Sequence, residues 1–297
     1  MRVQASVIAT FLGLSLDGAD MPVDGPSAIS DPAPDTVLFA NKFSEERAAQ
    51  LNGLPSLFVV AAEGYRGKLT HPHVLSANPR LDFARLLEHF FEPAVSASIA
   101  PTAQIPDSAT IGKEVSIGHY CVIGEHVSIG DGTVLEHHVV IADSCTIGKR
   151  CWIRSNTVIG GKGYGFERDD EGTPVRIPHL GNVAIGDDVE IGACTSIARG
   201  TLGSTTVCDH AKIDDHVFIA HNAYIGEKSM VIAHAEVSGS VRLGKRVWIG
   251  PCACVLNGVT LDDDAYVGIG AVVIRNVEKG VTVVGNPAKP LPKKSPG

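Results

Sequence analysis

No apolar run in this 297-residue chain approaches the length of a membrane span, so no transmembrane helix is expected. Positive charge is not in surplus either. Lys and Arg number 25 against 33 Asp and Glu, a formal net charge of -8, and that balance argues against a nucleic-acid-binding surface. The seven cysteines are odd in number and form no CxxC pair. The apolar start, residues 5–16, has only Arg2 as a charged flank and no small-x-small cleavage site after it. A packed N-terminal helix is therefore expected there, not a signal peptide.

What the sequence has is a beat of six. Every sixth residue from Ile99 to Ile159 is Ile or Leu, eleven in succession. The beat returns at Ile185, Ile191 and Ile197, then runs through twelve Val, Ile or Leu from Val207 to Val273. Neither a helix nor a two-faced strand has this period. Four residues after each aliphatic stands a small or β-branched one, such as Ala109, Val115, Val127, Ala211 and Ala235. Gly often follows the aliphatic directly, as at Gly118, Gly130, Gly148 and Gly226, where it relieves crowding. This is the hexapeptide repeat of a parallel β-helix. Three hexads make an 18-residue coil of a triangular prism, each aliphatic filling a side and each small residue a corner. Twenty-six hexads make eight to nine coils, about 40 Å at roughly 4.8 Å per coil. Coils bury their aliphatics only by stacking, so the array folds as a solenoid. Cys121, Cys145 and Cys151 stand at small corner positions and read as buried fillers in a reducing cytosol.

Three parts follow. Residues 1–98 lack the beat and read as a small α/β domain, with strands at Thr36–Ala40 and Ser56–Ala61 and a helix near Leu81–Phe91 after Asn78-Pro79. The prism is expected over 99–275, broken by a loop at 160–184 that is too long for a turn. Loops ejected from solenoids often line binding sites. A Pro- and Lys-rich tail, 276–297, is expected to leave the prism along its surface.

A wall of aliphatics does no chemistry, so reactive groups belong at outward positions. His221 stands two places after the inward Ile219 and should project outward, where an imidazole titrates near neutrality and takes protons. Gly239 follows it by one full coil and stacks one strand spacing away.

Residues 213–226, Ile-Asp-Asp-His-Val-Phe-Ile-Ala-His-Asn-Ala-Tyr-Ile-Gly, resemble the active-site segment of the UDP-3-O-acylglucosamine N-acyltransferases, which attach the N-linked 3-hydroxyacyl chain in lipid A synthesis. Residues 185–200, 163–166 and 77–86 are similar to that family too, and the likeness spans nearly the whole chain. It implies a left-handed β-helix whose His221 is the general base and whose Gly239 N–H stabilises the oxyanion. It also implies a uridine site in the N-terminal domain using Asn41 and Phe43, sugar contacts from Asp214 and Asp215, and further substrate contacts from Tyr164, Phe166 and Asn222. Gly258, Asn286 and Lys289 would meet the donor, either acyl carrier protein through its phosphopantetheine or coenzyme A. Family members are cytoplasmic homotrimers with sites between neighbouring prisms, and no cofactor or metal is expected to be resident.

Some positions depart from the family. Phe218 stands where Gln is usual and Ala198 where Asp is usual, and no His lies near Asn257-Gly258, where a second active-site His is expected. Val284-Gly-Asn-Pro-Ala-Lys289 resembles the closing motif of acetyl-CoA-dependent sugar N-acetyltransferases. That keeps open an acetyl-CoA-dependent enzyme of surface-polysaccharide synthesis. Two other classes remain to be weighed. A zinc hydro-lyase of the carbonic anhydrase type would use His216 and His221, but positions 180 and 185, where its third His would fall, hold Leu180 and Ile185. A non-catalytic scaffold is the other.

Overall fold

Each hexad lays down one short strand, and strands one coil apart pair in parallel with aliphatic opposite aliphatic. On the first face Ile123 pairs with Ile141 and Ile141 with Ile159; on the second Ile129 pairs with Ile147; on the third Leu135 pairs with Ile153. In the computed structural model, which describes residues 2–291, the faces are sheets of eight, eight and ten strands. The result is the left-handed parallel β-helix expected. A single apolar cluster runs its length from Val115 to Val283.

Two backbone devices make the corners. The third residue after most of the aliphatics adopts a left-handed conformation, and these are mostly not glycines: Tyr120 (φ 59°), His126 (58°), His138 (59°) and Asn222 (61°) are examples. The glycines directly after the aliphatics serve close approach instead. A Cβ at Gly130 would lie 2.6 Å from the carbonyl carbon of Gly148 on the next coil. Inside the corners Cys121, Cys145 and Cys151 are buried. Burial pushes all three thiols up, Cys151 to about 11, which suits inert fillers.

The chain divides into two units after Ala94. The first has a five-stranded sheet in the order Leu16–Asp17, His73–Ser76, Leu57–Ala62, Thr36–Ala40, Gly25–Pro26, parallel except for the first pair. Its central strands are apolar on both faces because both faces are covered. One face packs on helix α1 (Ala5–Leu12) and the other on α2 (Glu45–Asn52). Helix α3 (Pro79–Phe90) begins where Asn78 accepts from Leu81 N–H, with Pro79 in the first turn where its missing donor does no harm. The apolar start is thus a packed helix with Ala5, Ile8 and Ala9 buried. Among the described residues no helix is long and apolar enough to cross a membrane.

The C-terminal segment corrects the sequence reading. The solenoid does not end at 275. Thr282–Val284 adds a parallel strand to the third face beside Tyr266–Val267, and Lys289–Pro290 folds back antiparallel on it. Val281, Val283 and Ala288 supply apolar groups at the prism's end, so burial holds the segment there. Residues 292–297 of the expected tail lie outside the described residues.

Candidate active site

One corner of the prism is unlike the other two. Between the first and second faces, the strands Val158–Gly161 and Asn182–Ile185 bracket the ejected loop, which folds as a hairpin with Phe166 opposite Arg176. One coil later the same corner, Arg199–Gly203, is again longer than a hexad. The following coils bring His221-Asn222, Gly239 and Asn257-Gly258 to it. The pairings Ile197–Ile219, Ile219–Val237 and Val237–Val255 set Arg199, His221, Gly239 and Asn257 in one column, about 4.8 Å apart. Ser240 N–H donates to the His221 carbonyl and Gly258 N–H to the Gly239 carbonyl, both at 2.9 Å, which ties the coils together.

His221 is half-buried and framed on three sides. Asn222 is anchored by Thr201: its Oδ1 accepts Thr201 N–H at 2.8 Å, and its Nδ2 donates to Thr201 Oγ1 at 3.0 Å. The same Nδ2 stands 3.1 Å from His221 Nδ1. Gly239 closes the second side. A Cβ there would lie 2.6 Å from Asn257 Oδ1 and 2.7 Å from His221 Cε1, so the wall is open only because the residue is glycine.

The third side is His179, from the returning limb of the ejected loop. Its ring meets that of His221 edge-on, with centroids 4.9 Å apart and planes at 63°. His179 is buried, and its Nδ1 donates to the Ile177 carbonyl at 3.0 Å. Burial first, and then the neighbouring His179, hold His221 below the ordinary imidazole range. That shift favours the unprotonated ring, the form that can take a proton.

Residues 126–161 match the family model of the bacterial transferase hexapeptide (six repeats). Over 300 residues the chain is 36% identical to UDP-3-O-acylglucosamine N-acyltransferase of Bordetella pertussis, covering 91% of this chain and 82% of that protein. It is also 36% identical over 303 residues to the enzyme of the same name from Wolinella succinogenes, covering 96% and 93%. The chain belongs to the UDP-3-O-acylglucosamine N-acyltransferase family. Among solved structures, UDP-N-acetylglucosamine O-acyltransferase from Moraxella catarrhalis is similar, with a TM-score of 0.59 and 31% identity over 65% of this chain and 73% of that one.

In this member of the family, the residues expected at the site divide into those the fold gathers and those it disperses. His221, Asn222, Gly239 and Gly258 share the open corner, Gly258 with φ 74°. Asp214 and Asp215 do not. They lie at the corner between the third and first faces, where Asp215 Oδ1 accepts Ala193 N–H at 2.7 Å and Arg154 at 3.0 Å. Asp214 accepts Ala233 N–H at 3.1 Å. Both carboxylates are committed to joining coils. His216 stands at that corner too, stacked on His234 at 4.9 Å, so the two histidines of a zinc site are held apart by different partners. Among the described residues no three His, Cys, Asp or Glu side chains gather for a metal ion.

Tyr164 and Phe166 brace the hairpin. Their rings are 4.8 Å apart, and the Arg176 guanidinium sits over Phe166 at 4.6 Å. In the N-terminal unit Asn41 lines a cavity of about 750 Å³ with Phe39, Arg47, Tyr65 and Phe83. Phe43 does not line it; the ring packs edge-on against Tyr65 at 5.1 Å with Lys68 above it. The aromatic walls are Phe39, Tyr65 and Phe83, with Phe39 and Phe83 in ring contact. Lys289 lines a second cavity of about 550 Å³ at the prism's C-terminal end with Arg275, Val277 and Pro287, while Asn286 lies in the exposed turn leading to it. Sequence reasoning missed His179. The signal was present: a histidine in Ile177-Pro-His-Leu-Gly181, on the limb that returns an ejected loop to the solenoid.

Proposed function

We propose that this chain transfers an acyl group from a phosphopantetheine thioester to the amine of a UDP-linked amino sugar, the N-acylation step of lipid A synthesis. The observation that carries the reading is the column of His221 over Gly239, whose missing side chain keeps the wall open, at the corner where the loop is ejected. The amine nitrogen attacks the thioester carbonyl carbon, the new C–N bond forms and the C–S bond breaks. His221 accepts the proton the amine sheds and returns it to the departing thiolate, leaving an amide and a thiol. Gly239 lets the thioester approach, and its N–H donates to no group among the described residues, so it is available to the developing oxyanion. The cavity lined by Asn41 takes the uracil group against the paired rings of Phe39 and Phe83, with Arg47 placed for phosphate. Lys289 and Arg275 at the C-terminal end of the prism offer cations to the phosphate of the pantetheine arm, on carrier protein or on coenzyme A. The proposed assembly is a cytoplasmic homotrimer, which sedimentation would contradict by giving a monomer at micromolar concentration.

The test is incubation with a UDP-amino-sugar and either 3-hydroxyacyl-acyl carrier protein or acetyl-CoA, with amide followed by mass spectrometry. Amide with the carrier protein alone fits lipid A synthesis. Amide with acetyl-CoA alone makes the chain a polysaccharide-sugar acetyltransferase, the reading favoured by the closing motif at Val284–Lys289. No amide with either donor would overturn acyl transfer and leave a scaffold.

A further inference from the structure

His179 is a histidine that stability does not explain. Its Nδ1 donates to a carbonyl, so the lone pair of the neutral ring is on Nε2, and that atom is buried with no hydrogen-bond partner. An orphaned buried acceptor lowers stability, and a leucine or phenylalanine would fill the space without it. The surroundings are nevertheless shaped to the imidazole. A Cβ at Gly163 would lie 2.6 Å from His179 Nε2 and 3.1 Å from His221 Cδ2, so this glycine seats against both rings at once. A Cβ at Gly165 would lie 3.0 Å from His179 Cε1. The outgoing limb of the ejected loop thus covers a histidine that the returning limb inserts beside His221.

We propose that His179 is a positioning residue of the reacting centre: the ejected loop presses its imidazole against the His221 ring and holds that ring turned toward Gly239. The inference rests on the acyl-transfer reading above. The contact has an electrical side. Of the groups framing His221, Asn222 and Asn257 are neutral, and Arg199 one coil away donates to the Gly160 and Asp143 carbonyls. Glu236 on the neighbouring face accepts from Ser238. His179 is the titratable group in ring contact, and it adds to burial in disfavouring a charged His221.

Three variants test this. His179→Leu should lower kcat about ten-fold with little change in KM for the nucleotide sugar, while thermal stability holds or rises. His179→Phe, which restores a ring, should recover part of kcat. Gly163→Ala, which pushes on both imidazoles, should lower kcat without touching either chemically. The decisive reading is NMR titration of His221 in ligand-free protein, assigned by its loss in His221→Ala. In His179→Leu and His179→Phe its midpoint should rise, and the acid limb of kcat/KM should rise with it. A purely structural His179 would leave both where they are in the native chain. An unmoved His221 titration with kcat within two-fold of native in His179→Leu would overturn the proposal. Failure of the native chain to form amide would instead overturn the acyl-transfer reading, and the titration would still judge the contact.

Discussion

Two corners of one prism obey the same six-residue rule and do different things with it. Between the third and first faces, the hexads run unbroken, and Asp214 and Asp215 spend their carboxylates on backbone N–H groups of adjacent coils and on Arg154. Between the first and second faces, the repeat is interrupted twice, and there His221, Asn222, Gly239 and His179 converge. The difference teaches where function enters a solenoid. At the closed corner the carboxylates of Asp214 and Asp215 are consumed by the repeat, since adjacent coils offer N–H groups in register with them. Residues displaced by an ejected loop, or set where glycine keeps the wall open, are left with unspent chemistry.

Substitutions can break that contrast. The largest effect belongs to His221→Ala, which should cut turnover by roughly a hundred- to ten-thousand-fold while circular dichroism and melting temperature stay native. Gly239→Val comes next. Its branched side chain would enter the space of Asn257 Oδ1 and His221 Cε1, and activity should fall about a hundred-fold with only modest loss of stability. Equal loss of both would place Gly239 with the scaffold. Asn222→Ala removes the anchor between Thr201 and the His221 ring and should lower kcat about ten-fold. Asp215→Ala is the control at the closed corner. It should cost about 1 kcal/mol in a denaturant melt, through the lost Ala193 bond, while activity per folded chain stays within about two-fold of native. A larger fall in activity would mean the closed corner also serves the reaction.

Activity should also respond to pH with a definite sign. Because His221 titrates below the ordinary imidazole range, the acid limb of kcat/KM should lie below that of a free imidazole, and turnover should persist into mildly acidic solution. A limb at or above the free-imidazole value would remove His221 as the group that must be unprotonated.

Much of this was legible before any coordinates. A period of six and a coil of 18 put His221 and Gly239 in one column by arithmetic alone, and the pairing of Ile219 with Val237 bears the register out. Asn78-Pro79 announced a helix, and Asn78 caps it. What escaped had physical reasons. His179 lies off the beat, in a loop whose path no periodicity dictates, so nothing in its spacing points at His221. Asp214 and Asp215 are close to His221 in sequence, but a hexad is one side of a triangle, and six residues carry the chain to another corner. Phe43 was paired with Asn41 by the resemblance to the family, and in the structure its ring packs on Tyr65, while Phe39, Tyr65 and Phe83 line the cavity. The C-terminal segment reads as polar and Pro-rich, but Val281 and Val283 are enough to hold it on the end of the prism.

The central claim, that chemistry belongs to the interrupted corner, is tested most directly by a crystal structure with a UDP-linked amino sugar and an unreactive thioether analogue of the donor. The account predicts the sugar amine within about 3.5 Å of a His221 ring nitrogen and the analogue's carbonyl beside Gly239. An amine seated at the corner of Asp214 and Asp215, away from both, would contradict it.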